Sequence, residues 1–225
     1  MSKDFFSKEE FQDRWKKVRN SMKKFEIELL MVIAPTNINY LIGTPAKGYQ
    51  EFEVLFFSIN SDPSVMFTRR SEVEMMTDYS LADEVYGWGG QESEDPIDAL
   101  KKLMIEKNFL NKRIGIEVPY YYLHPFEYKK ITDMLGNSLV HDSTNLIGDI
   151  KLIKSEAELN YVRKASDIAD KSFNAGLNKI VSGISEREVS AAIHNEMFMN
   201  GGDIPSSPMN FLTGNRSMYA HGEPS

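Results

Sequence analysis

The sequence predicts an α/β fold, in which a mixed sheet lies between layers of helices, followed by a second domain of different character. Short apolar strands alternate with helical segments over the first part of the chain, which is the pattern of layered α/β domains. A turn signal from Asn60 to Pro63 joins two strands as a hairpin, so the sheet cannot be purely parallel. Helical periodicity dominates after residue 150. We therefore expect a three-layer α/β domain over residues 1–150 and a different domain over residues 151–225.

The elements of the first domain follow from local signals. Ser7 and Glu10 have the spacing of a capping box, and apolar residues then recur at helical spacing, which predicts the first helix. Proline at a first helical position marks another helix that begins at Asp95-Pro96. Two further helices are predicted over residues 72–79 and 125–135. The predicted strands are residues 29–33, 38–42, 54–59, 64–68, 84–88, 113–118 and 138–142.

The second domain opens with two helices. Ser155 with Glu158, and Ser185 with Glu188, have the spacing of further capping boxes, and each pair precedes apolar residues at helical spacing. The helices end near Gly183 and at Gly201. An apolar run over residues 209–212, just before a glycine turn, then predicts a strand. Two helices followed by a strand place the domain boundary near Lys151.

Composition excludes several classes of protein. The formal net charge is −7, with 33 acidic and 26 basic residues, which disfavours a nucleic-acid partner because phosphate binding requires concentrated positive charge. The chain has no cysteine, so disulfide scaffolds and thiolate metal sites are excluded. No apolar run approaches the ~20 residues of a membrane span, and the N-terminus does not resemble a secretion signal. We expect a soluble, cytoplasmic protein with no membrane partner.

His221 is the strongest candidate for catalysis in the sequence. It follows a turn and is flanked by Ala220 and Gly222, and such small neighbours leave a histidine ring accessible for proton transfer or substrate contact. The alternative is a surface histidine near a frayed end. No pair among His124, His141, His194 and His221 has the spacing of a helical metal site, so packing or surface roles are favoured for the other three.

Two segments of the first domain are candidates for substrate binding. Arg69-Arg70 directly follows a strand, and a guanidinium fork suits carboxylate recognition, although a salt-bridged strand end is the simpler interpretation. The loop over residues 47–52 has aromatic and charged side chains that either line a pocket or form a dimer contact. The glycine-rich stretch over residues 87–90 is followed by acidic residues that would repel phosphate, so we interpret it as a loop.

Four stretches of the chain, taken in order, resemble the pita-bread metallohydrolases, in the branch that holds creatinase, prolidase and Xaa-Pro aminopeptidase. The stretches are Phe6 to Arg14 with the helix after it and Pro35 to Gly43, Arg113 to Glu117, Lys151 to Leu159, and Leu212 to Gly222. The last stretch looks like the segment that bears the family's active-site histidine. Together the four stretches cover essentially the whole chain.

The resemblance implies a division of labour between the domains. The N-terminal α/β domain would support a homodimer and contribute to the partner's active site, and the second domain would begin the α+β pita-bread fold. Peptidase members bind two divalent metals, Mn, Co or Zn, through two Asp, one His and two Glu. All five ligands would lie after Ser225, so no metal ligand is expected within this chain. His221 corresponds to the histidine that contacts substrate and helps to move protons.

The chain departs from creatinase at two positions. Creatinases place a Phe and an Arg where this sequence has Tyr49 and Glu51, and that Arg reaches the carboxylate of the substrate. A glutamate there would repel a carboxylate, which disfavours creatine as the substrate. By this resemblance we expect Tyr49, Glu51, Phe52 and Arg69 to be substrate-binding residues.

Three hypotheses about function are therefore open. The first is a metallohydrolase of the Xaa-Pro dipeptidase or aminopeptidase type, which cleaves a small peptide or amide bond and of which this piece alone would be inactive. The second is a metal-independent enzyme similar to creatinase or ectoine hydrolase, with His221 as general base. The third is a non-catalytic dimerisation or binding module, if the chain truly ends at Ser225, because that end precedes any metal ligand.

Overall fold

The computed structural model describes residues 4–44, 50–90, 93–205 and 209–225. The chain divides into two compact units, one that extends to Ile153 and one that begins at Lys154. The first unit contains a sheet and six α-helices in its described part, and the described part of the second contains two α-helices.

The first unit alternates helices and strands. Its helices are α1 (Lys8–Lys24), α2 (Pro35–Ile42), α3 (Val73–Tyr79), α4 (Pro96–Glu106), α5 (Pro125–Leu135) and α6 (Leu146–Lys151). Its strands are β1 (Leu29–Val32), β2 (Val54–Ser58), β3 (Val65–Arg69), β4 (Glu84–Trp88), β5 (Ile114–Ile116) and β6 (Leu139–Asp142). Asp95 caps α4 by accepting from the N–H groups of Ile97 and Asp98, with proline at the first position as predicted.

The strands form one mixed sheet in the order β4-β3-β2-β1-β5-β6. The predicted hairpin is confirmed, since β2 and β3 are antiparallel with Val54 opposite Phe67. Strand β1 is antiparallel to β2 and parallel to β5, and the outer pairs β3–β4 and β5–β6 are parallel. β1 therefore lies inside the sheet, between β2 of the hairpin on one side and β5 on the other.

Two hydrophobic clusters cover the two faces of the sheet. Leu29 and Met31 of β1 pack with one cluster, which includes the apolar faces of α4 and α5. Leu30 and Val32 alternate to the other face and pack with α1, α2, α3 and α6. The three-layer α/β architecture expected from the sequence is confirmed.

The strand predicted over residues 38–42 is wrong, because these residues belong to helix α2. Pro35 occupies the first turn, where its fixed φ favours a helix, and Gly43 ends the helix with a φ of 69° while its N–H donates to Asn39 O. Ile38, Leu41 and Ile42 are buried against the sheet. A helix that is buried on most sides has a continuous apolar run, which periodicity cannot separate from a buried strand.

The second unit begins with α7 (Glu156–Lys179) and α8 (Glu186–Met199), and both predicted capping boxes are present. The helices pack closely at Gly176, where a Cβ would lie 2.6 Å from Ile193 Cγ1. The strand predicted over residues 209–212 is wrong: these residues have no regular structure and lead into a 3₁₀ turn, Gly214–Met218. A strand needs a hydrogen-bonded neighbour, and the described residues of this unit form no sheet.

Candidate functional site

The His221 segment of the second unit is held by a single carboxylate. Glu186, the first residue of α8, accepts hydrogen bonds from Thr213 N at 2.6 Å, Thr213 Oγ1 at 2.8 Å and Ser225 N at 3.0 Å. Arg216 Nη1 forms an ion pair with the same carboxylate at 2.7 Å. The N–H of Ser225, and then the hydroxyl and N–H of Thr213, lower the pKa of Glu186 to about 2. The carboxylate therefore stays ionised and fixes both ends of the segment that contains His221.

His221 is exposed, as the small residues around it predict. Gly222 packs directly on Leu212, because a Cβ at that position would lie 2.5 Å from Leu212 Cδ1. The backbone beside the histidine thus rests on an apolar side chain while the imidazole is free to meet a substrate. The catalytic role of His221 remains a prediction.

An open cavity of about 470 Å³ in the first unit contains two of the predicted substrate-binding residues. Glu51 and Arg69 line it and form an ion pair with Arg69 Nη1 at 3.2 Å from Glu51 Oε1. Arg70, Trp88, Gly89 and Gly90 also line it. Tyr49 lies outside the described residues.

Phe52 does not line this cavity and contacts it only through the hydrogen bond that Trp88 donates to its carbonyl, among the contacts described. Its side chain, just before β2, is buried in the cluster with Val54 and Phe67, and its ring centroid lies 6.4 Å from that of Phe67. Its carbonyl accepts a hydrogen bond from Trp88 Nε1 at 2.9 Å, which fixes the indole. Direct contact of Phe52 with substrate stays a prediction that its burial disfavours.

Close packing fixes the backbone of Arg70. A Cβ on Gly87 would lie 2.9 Å from Arg70 Cα and 2.7 Å from Val73 Cγ2, so only glycine lets the Arg70 turn approach strand β4 this closely. The loop expected over residues 87–90 is wrong for its first half, since Gly87 and Trp88 end strand β4 and only Gly89 and Gly90 lie outside it. The Gly89 N–H donates to Glu94 Oε2 at 3.0 Å. The Glu94 carboxylate thus holds that N–H, and the absence of phosphate binding at this stretch stays a prediction.

Two buried glutamates were not singled out by the sequence. Glu53 is only 4% exposed, and its Oε1 has no hydrogen-bond partner among the described residues. Burial raises the pKa of Glu53 to about 7, the Thr68 hydroxyl at 3.5 Å from Oε2 opposes that rise, and Glu72 adds to it. The sequence signal that could have identified Glu53 was its position, as a charged residue directly before the apolar run that forms β2.

Glu117, the second buried glutamate, organises the start of helix α2. Its Oε2 accepts from the N–H groups of Ile33 and Ala34, both at 2.9 Å, and its Oε1 accepts from Asn37 Nδ2 at 2.8 Å. Lys151 Nζ donates to Asn37 Oδ1 at 2.9 Å and completes the network. Burial raises the pKa of Glu117 to about 7, while the N–H donors and Lys151 act in the opposite direction.

The other histidines have structural contacts. His124 caps helix α5, His141 packs on Phe25 with ring centroids 4.2 Å apart, and His194 Nδ1 lies 2.9 Å from Ser190 O. Across residues 4–44, 50–90, 93–205 and 209–225, no group of three or more His, Asp or Glu side chains has the arrangement of a metal site. Within those same ranges, no helix combines the length and apolar character needed to cross a membrane.

Comparison with known proteins identifies relatives for both units. The Xaa-Pro dipeptidase of Pyrococcus horikoshii is 29% identical over 216 residues, which are 93% of this chain and 54% of that protein. The Xaa-Pro dipeptidase of Pyrococcus furiosus is 27% identical over 215 residues, 94% of this chain and 55% of that protein. A crystal structure of prolidase from Pyrococcus furiosus shares the fold with a TM-score of 0.70, at 24% identity over 93% of this chain and 60% of that one.

The chain spans about half the length of the curated relatives it matches. Residues 160–225 match the model of metallopeptidase family M24. Residues 14–153, more than half of the chain, match the model of the creatinase/prolidase N-terminal domain. Taken with the three-layer fold and the shared prolidase architecture, that match shows that this chain belongs to the creatinase/prolidase N-terminal domain family.

Proposed function

We propose that the whole protein to which these residues belong is a metallohydrolase of the Xaa-Pro dipeptidase type, which cleaves the bond before proline in a small peptide. The observation that carries the proposal is the match of residues 160–225, which contain His221, to metallopeptidase family M24. The relatives named Xaa-Pro dipeptidase support the substrate class. In this proposal residues 1–150 are the N-terminal domain and residues 151–225 begin the pita-bread catalytic domain.

His221 acts on the substrate in this proposal. An exposed imidazole on a segment with both ends tied to Glu186 can hydrogen-bond the scissile carbonyl and the oxyanion that forms from it. Holding the segment in one place matters because a misplaced donor contributes little to transition-state stabilisation. Glu186 is therefore a positioning residue, since it acts through the segment and does not contact the reacting atoms.

The described residues do not supply a metal centre, so they do not fit the two divalent ions that the family resemblance implies. We propose that the whole protein binds these ions through residues outside 1–225. The same proposal includes a homodimer in the cytoplasm and a substrate role for the cavity of Glu51 and Arg69.

The test is hydrolysis of Ala-Pro by the whole protein, compared with Ala-Ala and Ala-Pro-Ala. We expect cleavage of Ala-Pro, with loss of activity after chelation and recovery with added Mn²⁺. Cleavage of Ala-Pro-Ala but not Ala-Pro would replace the dipeptidase assignment with an aminopeptidase. Full activity after exhaustive chelation would instead support a metal-independent enzyme.

The role of His221 has its own prediction. His221→Ala should lower kcat by about 10²–10⁴-fold, the range typical of a lost acid–base or oxyanion contact, and leave the melting temperature unchanged because the side chain is exposed. His124→Ala is the matched control: it makes the same change at the cap of α5 and should leave kcat intact while lowering stability. Equal kcat values for His221→Ala and the unmodified protein would remove His221 from the mechanism.

A further inference from the structure

A second open cavity of the first unit, which we call the α1 cavity, lies against helix α1. Its volume of about 470 Å³ is in the range of small-molecule sites, and a recess of about 30 Å³ adjoins it through shared lining residues. Phe57 of the recess belongs to the cluster that packs with α1, α2, α3 and α6, whereas Trp88 of the cavity of Glu51 and Arg69 belongs to the cluster on the opposite face of the sheet. The described lining of the α1 cavity includes no residue to which the proposed hydrolase gives a role.

Arg19 lines both the α1 cavity and its recess, and its guanidinium is fixed in place. Its Nε donates to Ser58 O at 3.1 Å, and its Cζ lies 4.9 Å from the ring centroid of Phe57. In the part of the chain that the structure describes, no hydrogen bond or ion pair engages the N–H groups of its two terminal nitrogens. Burial lowers the pKa of Arg19, because the side chain has lost part of the solvation that it would have in water. Arg19 is thus a partly desolvated cation with donors available to a ligand.

The two carboxylates nearest to Arg19 are engaged by other groups. Asp83 Oδ2 accepts from Ser64 N at 2.7 Å and from Ser64 Oγ at 2.8 Å. Asp62 Oδ2 accepts from Ser58 Oγ at 2.7 Å. Both aspartates act on Arg19 through space and oppose the fall in its pKa, but neither forms an ion pair with it. A ligand anion would therefore meet the guanidinium donors without first displacing a carboxylate.

The lining of the α1 cavity has more positive than negative groups, in a chain whose formal net charge is −7. Its charged residues are the cations Lys16, Arg19 and Lys23 and the anions Asp62 and Asp83. A monoanion matches this small excess of positive charge. A dianion such as phosphate would bring a further negative charge towards the two carboxylates, which disfavours it.

Trp15 gives the α1 cavity an apolar wall. Its Nε1 donates to Leu41 O at 2.7 Å, which fixes the indole, and Ile59 lines the cavity with it. A fixed indole offers a planar surface on which another ring can stack. Trp15 and Arg19 stand about one helical turn apart on α1, so their side chains lie on the same helix face and one ligand can contact both.

We propose that the α1 cavity binds a small aromatic monocarboxylate. The carboxylate accepts from the terminal N–H groups of Arg19, because the planar guanidinium fork matches two carboxylate oxygens, and the ring packs on Trp15. Lys16 and Lys23 are exposed and attract the anion towards the cavity. The inference rests on these contacts alone and not on the proposed hydrolase.

The experiment is a titration of the whole protein with benzoate, followed by NMR at the indole N–H of Trp15. Three further probes each lack one feature of the ligand: acetate has no ring, benzamide has no charge, and inorganic phosphate has neither the ring nor the single charge. We expect benzoate to shift the Trp15 signal saturably and to bind at least roughly 10-fold more tightly than each of the three, the effect of one lost charge-assisted hydrogen bond. Failure of benzoate to saturate the signal, or a smaller preference over any of the three probes, would overturn the proposal.

Two variants with opposite expected effects test the charges. Arg19→Gln removes the cation that binds the carboxylate, so it should weaken benzoate at least roughly 10-fold. Asp62→Asn removes a negative charge from the lining and keeps an oxygen for its present hydrogen bond, so it should tighten benzoate. Unchanged benzoate affinity in Arg19→Gln, or unchanged or weaker binding in Asp62→Asn, would contradict the proposal.

The matched controls are Arg163→Gln and Asp133→Asn, which make the same charge changes at exposed positions outside the α1 cavity and should leave the benzoate affinity unchanged. The indole signal of Trp88, on the opposite face of the sheet, checks that each variant keeps the fold. Asp62→Asn decides the question if Arg19→Gln does not fold. Lack of peptidase activity in the same sample would refute the proposed hydrolase, whereas the Trp15 titration would be unaffected by it.

Discussion

At the scale of single residues, the two buried glutamates differ in how well their carboxylates are hydrogen-bonded. Glu53 is buried with one oxygen unpartnered among the described residues, so its charged form is disfavoured. Glu117 is equally buried, but each of its oxygens accepts from N–H donors. The same conservative change, glutamate to glutamine, should therefore have opposite effects on stability at the two positions.

Glu53→Gln should stabilise the protein at high pH. The folded-state pKa of about 7 lies above that of an exposed glutamate, so the stabilising contribution of the protonated side chain is complete below about pH 4.5 and is lost as the pH rises through 7. Between pH 4.5 and pH 8 we expect the free energy of unfolding to fall by on the order of 3 kcal/mol relative to the variant. Urea unfolding of the unmodified protein and of Glu53→Gln at a series of pH values measures this difference in unfolding free energy, and Glu74→Gln is the control. A difference between the two proteins that does not vary with pH would contradict the raised pKa of Glu53.

Glu117→Gln should destabilise the protein by about 1–3 kcal/mol, the usual cost of an unsatisfied buried donor. A glutamine oxygen can still accept from Ile33 and Ala34, but its amide N–H₂ would then face Asn37 Nδ2. Asn37 cannot turn over without losing its bond from Lys151. Urea unfolding at pH 5 and pH 8 checks this, and a variant at least as stable as the unmodified protein at both values would refute the network.

At the scale of elements, sequence patterns predicted most helices and strands but not the contacts that organise them. Asp95-Pro96, the hairpin turn and the helix-capping serines Ser7, Ser155 and Ser185 are local signals that act within a few residues. Ser7 caps α1 by accepting from Glu10 N, but the Glu10 side chain accepts from Arg14, so the predicted capping box of α1 is only half formed. The Glu117 and Glu186 networks join residues that lie far apart in the sequence, so no spacing rule reveals them. Helix α2 was missed because a helix buried between layers lacks an exposed polar face.

Removing Glu186 tests the segment it holds. In Glu186→Ala we expect the amide protons of Thr213 and Ser225 to exchange at least 10-fold faster, because both lose their acceptor, while amides in the middle of α8 keep their protection. Glu188→Ala is the matched control, since it breaks the capping box of α8 and leaves the Glu186 contacts in place. Unchanged exchange at Thr213 in Glu186→Ala would show that the segment is held by other contacts.

At the scale of the whole molecule, the second unit presents much apolar surface. Six large apolar side chains of this unit are about half exposed or more. Five lie in α7 or α8 and one directly follows α7: Val162, Phe173, Leu177, Ile180, Phe198 and Met199. Exposed apolar side chains in this number promote association. The 225-residue chain should therefore form assemblies larger than the proposed dimer as its concentration rises.

Light scattering against concentration measures this association. Phe173→Ser together with Leu177→Ser should lower the mean mass, because both side chains lie on the exposed face of α7. Phe126→Ser, an equally exposed position in the first unit, is the control and should leave the mass unchanged. A mean mass independent of concentration would contradict the expectation.

The interior position of β1 has a consequence for the chain as the ribosome makes it. One edge of β1 pairs with β2, which follows closely, but the other edge pairs with β5, whose residues come 85 positions later, as in Leu29 with Ile114. At a synthesis rate of roughly 5–20 residues per second, that edge waits about 4–17 s for its partner. During this interval the nascent chain exposes unpaired backbone groups of an apolar strand, which is when a chaperone would protect it best.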